Sequence, residues 1–149
     1  MQILEHINSR EDLLAVPWEQ EAQLCQEIRQ WLVQNVAKTG GHLASNLGIV
    51  ELQVAIEKEF DTRRDRLVFD VGHQSYVHKI LTGRRDAMTG LRTLDGISGF
   101  PKPDESETDA FVAGHASNAV SVALGMARAR TLQGADYNVI ALLGDGAMT

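Results

Sequence analysis

The stretch NVIALLGDGAMT, residues 138–149, decides the fold. Asn138 to Leu143 is a short apolar run with β-branched members, which predicts a buried strand. Gly144-Asp145-Gly146 then makes a tight turn that sets one carboxylate between two glycines. An Asp-Gly turn is common on its own and carries weight here because a strand leads into it. A second strand, Leu67 to Val71, runs into Gly72 within RDRLVFDVGHQ. Helical patterns precede each strand, and strands alternating with helices predict an α/β fold with a parallel sheet and right-handed crossovers. In such sheets ligands bind at the carboxyl ends of the strands, where His73 and Asp145 stand.

The helices are legible from spacing. Ser9 to Asp12 has the form of a capping box opening a short helix, which Pro17 punctuates. From Trp18 the positions Leu24, Ile28, Trp31, Leu32 and Val36 keep helical spacing until Gly40-Gly41. After a loop GGHLASN, Ile49, Leu52, Ile56 and Phe60 mark a helix from about Gly48 to Phe60. Another spans Ser75 to Leu81. The long turn-rich segment from Thr82 to Asp109 is expected to be a functional or mobile loop. A helix from Ser117 to Leu132 carries an Ala/Gly face (Ala119, Ala123, Gly125, Ala127) suited to close packing on a sheet. Two strands are few for a parallel sheet, which is normally covered on both faces, so the chain is expected to be a truncated part of a larger domain.

Composition narrows the function. The 149 residues hold 44% hydrophobic and 23% charged residues, enough for a core and against disorder. A net charge of −6 with scattered Lys and Arg gives no footprint for nucleic acid. The pairs Arg63-Arg64 and Arg84-Arg85 read as solvated surface. The single Cys25 cannot form an internal disulfide, which points to a reducing compartment. No basic segment followed by an apolar one opens the chain, and no apolar run reaches about 18 residues, so a cytoplasmic protein without a membrane span is expected.

One dipeptide recurs: Gly41-His42, Gly72-His73 and Gly114-His115. Glycine allows close approach of backbone to a ligand, and imidazole donates to phosphate oxygens or moves protons near neutral pH. Any one of these could be an ordinary loop histidine, but three in one context suggest a shared site. The spacing of His73 and His78 excludes a helical zinc motif, and His78 and His6 read as structural or surface residues. Asp145 suits magnesium, which takes hard oxygen ligands and substrate phosphates, and the Gly146 amide suits a phosphate.

The segments KTGGHLASNLGIVEL, FDVGHQSYVHKILTGRR, ISGFPKPDESETDAF, GHASNAVSVALGMARAR and LLGDGAMT together closely resemble the 1-deoxy-D-xylulose-5-phosphate synthase family of transketolase-like enzymes. The resemblance runs from about Lys38 to Thr149. It implies that residues 1–149 form the N-terminal part of the diphosphate-binding domain of a thiamine diphosphate fold. It also implies condensation of pyruvate with D-glyceraldehyde 3-phosphate to 1-deoxy-D-xylulose 5-phosphate and carbon dioxide, feeding isoprenoid, thiamine and pyridoxal synthesis. By the same resemblance Asp145 is a ligand of Mg2+, with Gly146 and Ala147 beside the diphosphate. His73, Gly114, His115 and Ala116 contact thiamine diphosphate, and His42 and His73 act in proton transfer and acceptor binding.

Two positions depart from the family pattern. Ala116 stands where members usually carry serine, and Pro103 where a basic residue is common. The family also places a magnesium-binding asparagine and two further domains after Thr149, so this chain alone is expected to be inactive. The family works as a homodimer, and an open sheet edge with an uncovered apolar face favours self-association. The competing readings are one chain of a split transketolase-like enzyme and a non-catalytic α/β phosphate-binding or interaction module.

Overall fold

The computed structural model describes residues 2–148. Thr149, the last residue of the GDGAMT segment, lies outside the described residues. The chain is an α/β protein with elements α1 (Arg10–Leu14), α2 (Glu21–Thr39), α3 (Leu43–Leu47), α4 (Val50–Glu59), β1 (Arg66–Phe69), α5 (Tyr76–Lys79), α6 (Ala119–Gln133) and β2 (Val139–Leu142). It divides into two compact units, residues 2–59 with 73–99 and residues 60–72 with 100–148. Among the described residues no helix is long and apolar enough to cross a membrane.

The first unit is a helical cluster around α2. Leu24, Ile28, Trp31, Leu32 and Val36 all turn inward, as their spacing predicts. The capping box is present: the Ser9 hydroxyl accepts from the Asp12 amide while the Asp12 carboxylate accepts from the Ser9 amide. Gly40 closes α2 with a φ of 74°. Cys25 is buried in this core, and desolvation pushes its thiol pKa up, which leaves it protonated and unreactive.

Four sequence readings need correction in this unit. The loop GGHLASN contains a helical turn, α3, whose only buried residue is Asn46. The inward stripe of α4 is Val50, Gln53, Val54 and Glu57, joined by Ile56, while Leu52 is 52% exposed. The apolar spacing misplaced this face because two inward positions are polar and bond to each other, Gln53 Nε2 to Glu57 Oε1 at 2.7 Å. The segment after α5 is no free loop, since Met88, Leu91 and Ile97 insert into the core. Nor are both arginine pairs solvated: Arg84 is buried, and Arg85 donates to the carbonyls of Leu4 and Ile7. Arg63 and Arg64 are exposed as expected.

Glu27 ties the chain start to α2. Its carboxylate accepts from the amides of Gln2, Ile3 and Leu4 and from the Gln23 side chain. Burial alone would raise its pKa; the Leu4 amide, the Gln23 amide and the Gln2 and Ile3 amides outweigh it and hold the group at about 2. A depressed carboxylate pKa stabilises the fold above the ordinary value of 4.5. That contribution is lost as pH falls through the folded value. Acid unfolding followed by circular dichroism should therefore steepen between pH 4.5 and about 2. Glu27→Gln should flatten that limb, and an unchanged limb would remove Glu27 as its source.

The second unit holds the sheet. β1 and β2 pair in parallel, in register from Arg66 opposite Val139 to Phe69 opposite Leu142. Asp65 fixes this register by accepting from the Asn138 backbone at 2.7 Å and its side-chain amide at 3.1 Å. Helix α6 packs on both strands. Of its predicted small-residue face, Ala119 is buried and Ala123 and Ala127 are half-buried. Gly125 meets nothing within 4 Å and is not part of that face. Outward, α6 exposes Val120, Leu124 and Leu132 at 59%, 70% and 74%.

Candidate active site

In the first unit the structure brings His42 and His73 together. Their ring centroids lie 5.2 Å apart in an edge-to-face arrangement, 68° between planes. His42 caps the start of α3 and is exposed; His73 is half-buried. The His42 amide donates to the Tyr76 hydroxyl at 3.3 Å. Asn46 donates to the carbonyls of His42 and His73 and accepts from the Tyr76 amide. Spacing in the sequence drew attention to both histidines but not to Asn46 or Tyr76, because an asparagine in a loop and an aromatic at a helix start look unremarkable without the fold.

In the second unit, the carboxyl end of the two-stranded sheet carries the rest. β1 delivers Asp70, and β2 delivers Leu143 and the turn Gly144-Asp145-Gly146, which opens a single helical turn. The parallel pairing puts both strand ends side by side. Asp70, 1% exposed, accepts from the amides of Ser117, Asn118 and Ala119 and so caps α6 from another segment. This occupies the helix start with a protein carboxylate, which complements the partial positive charge there. The Val71 amide donates to the His115 carbonyl, so the loop Gly114-His115-Ala116 is drawn to the same strand end. Asp70 was passed over in the sequence because its partners are about fifty residues away.

This strand end is strained. The Gly72 amide donates back to the Asp70 carbonyl at 2.7 Å, a three-residue turn centred on Val71 at φ +60°. Ser117 across the Asp70 cap is also at positive φ, +66°. A β-branched residue there costs on the order of 1–3 kcal/mol, and such strain persists where surrounding contacts over-determine it.

The three Gly-His glycines prove unlike one another. A Cβ on Gly41 would lie 2.8 Å from the Tyr76 hydroxyl, and one on Gly72 would lie 2.6 Å from the Ala113 Cβ and 2.7 Å from Pro101 Cδ. Both glycines thus admit protein groups rather than a ligand. A Cβ on Gly114, at φ +149°, would meet nothing within 4 Å, and neither would one on Gly144 or Gly146. These three leave exposed backbone that a phosphate group could approach, with the exposed Asp145 carboxylate between two of them.

The donor set at this edge fits a hard divalent cation held jointly with an anionic ligand. Asp145 offers carboxylate oxygen, and among the described residues no group of three His, Cys, Asp or Glu could hold a metal alone. The histidine pair offers two imidazoles for proton transfer.

Residues 4–149 match the family model described as 1-deoxy-D-xylulose-5-phosphate synthase. The chain is 58% identical to the protein of that name from Syntrophomonas wolfei, over 99% of this chain and 23% of that protein. It is 54% identical to the one from Natranaerobius thermophilus, over 99% of this chain and 23% of the relative. Identity to the Thiobacillus denitrificans protein is 58%, over 99% and 24%. The chain therefore spans about a quarter of the length of these curated relatives. With the family model covering nearly every residue, this chain belongs to the 1-deoxy-D-xylulose-5-phosphate synthase family.

Proposed function

We propose that this chain is the N-terminal part of the diphosphate-binding domain of an enzyme that joins pyruvate to D-glyceraldehyde 3-phosphate. The products are 1-deoxy-D-xylulose 5-phosphate and carbon dioxide, and the setting is a cytoplasmic homodimer. The observation that carries this reading is the carboxyl edge of the sheet, where the exposed Asp145 stands between two glycines at which even an added Cβ would meet nothing within 4 Å. Thiamine diphosphate, when bound, supplies the electron sink that decarboxylation of a 2-keto acid requires. Asp145 would bind Mg2+, with Gly146 and Ala147 beside the diphosphate. Gly114, His115 and Ala116 would contact the cofactor through a loop held by the Asp70 cap. His73 would hydrogen-bond the cofactor, and His42 with His73 would hold the acceptor and move its proton.

At Ala116 no hydroxyl is available: a contact through backbone atoms would leave cofactor affinity little changed, and one that needs the side chain would lower it. Pro103 supplies no charge for a substrate phosphate. The uncovered α6 face of Val120, Leu124 and Leu132 supports self-association.

A chimera tests the reading. This chain fused to the remaining three quarters of the Syntrophomonas wolfei relative should release carbon dioxide from pyruvate when D-glyceraldehyde 3-phosphate is present, whereas the chain alone should release none. Asp145→Asn in the chimera should weaken thiamine diphosphate retention at fixed magnesium by at least about 10-fold, since loss of even an outer-shell partner of a metal costs roughly 10–100-fold. A silent chimera that folds, or turnover by the chain alone, would overturn the assignment.

A further inference from the structure

Asn46 has no exposed surface, yet it belongs to a short helix whose other residues face outward or half outward. Its Nδ2 donates to the His42 carbonyl at 2.6 Å and to the His73 carbonyl at 2.8 Å. Its Oδ1 accepts from the Tyr76 amide at 2.9 Å. One side chain therefore satisfies three backbone groups from two segments, using both amide protons and one of two lone pairs. The residues its two donors reach are the pair whose imidazoles meet at 5.2 Å. Residues 42 and 73 are far apart in the chain, and a single nitrogen links their carbonyls.

We propose that Asn46 is the positioning residue of the imidazole pair, setting the distance and tilt between His42 and His73. The chemistry requires an amide. Aspartate offers no donor to the two carbonyls and sets an oxygen against them; leucine fills the space and bonds to neither. Both bonds are partly buried, and a carbonyl there that loses its donor seeks another partner, which means movement of the segment bearing each ring. Tyr76 completes the clamp on one side: its hydroxyl accepts from the His42 amide, so both peptide groups of His42 are held. Where only filling mattered, an apolar side chain would serve and the rings would keep their spacing. The inference rests on the proposed proton-transfer role for its importance, though not for its geometry.

Nuclear magnetic resonance on the chain as it exists tests this without cofactor or activity. Unmodified protein should show a ring-to-ring nuclear Overhauser effect between His42 and His73, and Asn46 side-chain amide protons exchanging at least tenfold slower than those of exposed asparagines. Fast exchange of those protons overturns the proposal before any variant is made. In Asn46→Asp, which keeps an acceptor for the Tyr76 amide, the ring-to-ring signal should fall by more than half while methyl dispersion from Leu24 and Ile28 persists. Asn46→Leu should lose it equally. Persistence of the signal in either folded variant reduces Asn46 to a packing residue and sinks the proposal. Thiamine diphosphate with magnesium added to the same samples reports on the functional reading separately, because a failure to shift His73 leaves the ring-to-ring result untouched.

Discussion

His78→Leu is expected to lower the unfolding free energy by about 1–3 kcal/mol, the range for leaving a buried hydrogen-bonding group without its partner. His78 and Glu57 are 0% and 2% exposed, and the imidazole Nδ1 lies 2.5 Å from the carboxylate. Leucine matches the volume approximately but offers no donor, so the carboxylate stays in the core stripped of its imidazole. The pair joins α4 to α5, which follows His73 within a few residues, and the loss should loosen both helices. Glu57→Leu with His78→Leu should recover only part of the deficit, because two apolar side chains can replace a buried pair at little cost but the buried Gln53 side-chain amide then loses its acceptor. Urea midpoints at constant m-value would measure this. A double variant as unstable as the single one would show that another contact of these residues carries the stability.

Gly72→Ala is expected to cost about 2–4 kcal/mol, combining backbone strain with overpacking. The glycine sits at φ +88°, where an L side chain is strained even in open space. Space is also lacking, since Ala113 and Pro101 lie closer to the added carbon than any real contact. Pro101 is a ring closed on its own backbone and Ala113 has no torsion to turn, so neither can yield cheaply. Relief must come from the strained turn Asp70–Gly72, which also sets the Asp70 cap on α6. Thermal unfolding should register the loss, and Ala113→Gly in the same chain should restore part of it. A Gly72→Ala protein as stable as the parent would mean the turn relaxes without penalty. Gly114→Ala is a control on the same dipeptide: it meets no neighbour and pays only for its backbone angle.

Much of the architecture was legible along the chain because periodicity reports burial wherever the buried face is apolar. Leu24, Ile28, Trp31, Leu32 and Val36 drew α2 correctly, and the runs Leu67 to Val71 and Asn138 to Leu143 drew a parallel pair whose strands are Arg66–Phe69 and Val139–Leu142. The same rule only half served on α4, where Ile56 is buried but Leu52 is exposed and the polar Gln53 and Glu57 turn inward. It failed after α5, where Met88, Leu91 and Ile97 are too sparse to form a period and yet fill the core. Family membership was likewise carried by local words such as GGHLASNLG and GDGAM, which need no fold to be read.

What only the tertiary structure decided are the partners brought from distant segments. The Asp70 cap on α6 spans almost fifty residues, and the Asn46 clamp on His42 and His73 reaches across twenty-seven. Neither leaves a local signature, since a hydrogen bond constrains geometry at both ends but imposes no pattern between them. The Gly-His dipeptides make the same point from the other side. Three identical pairs of letters became a slot for Tyr76, a slot for Pro101 and Ala113, and one exposed backbone turn, because what a glycine admits depends on which atoms the rest of the chain delivers to it.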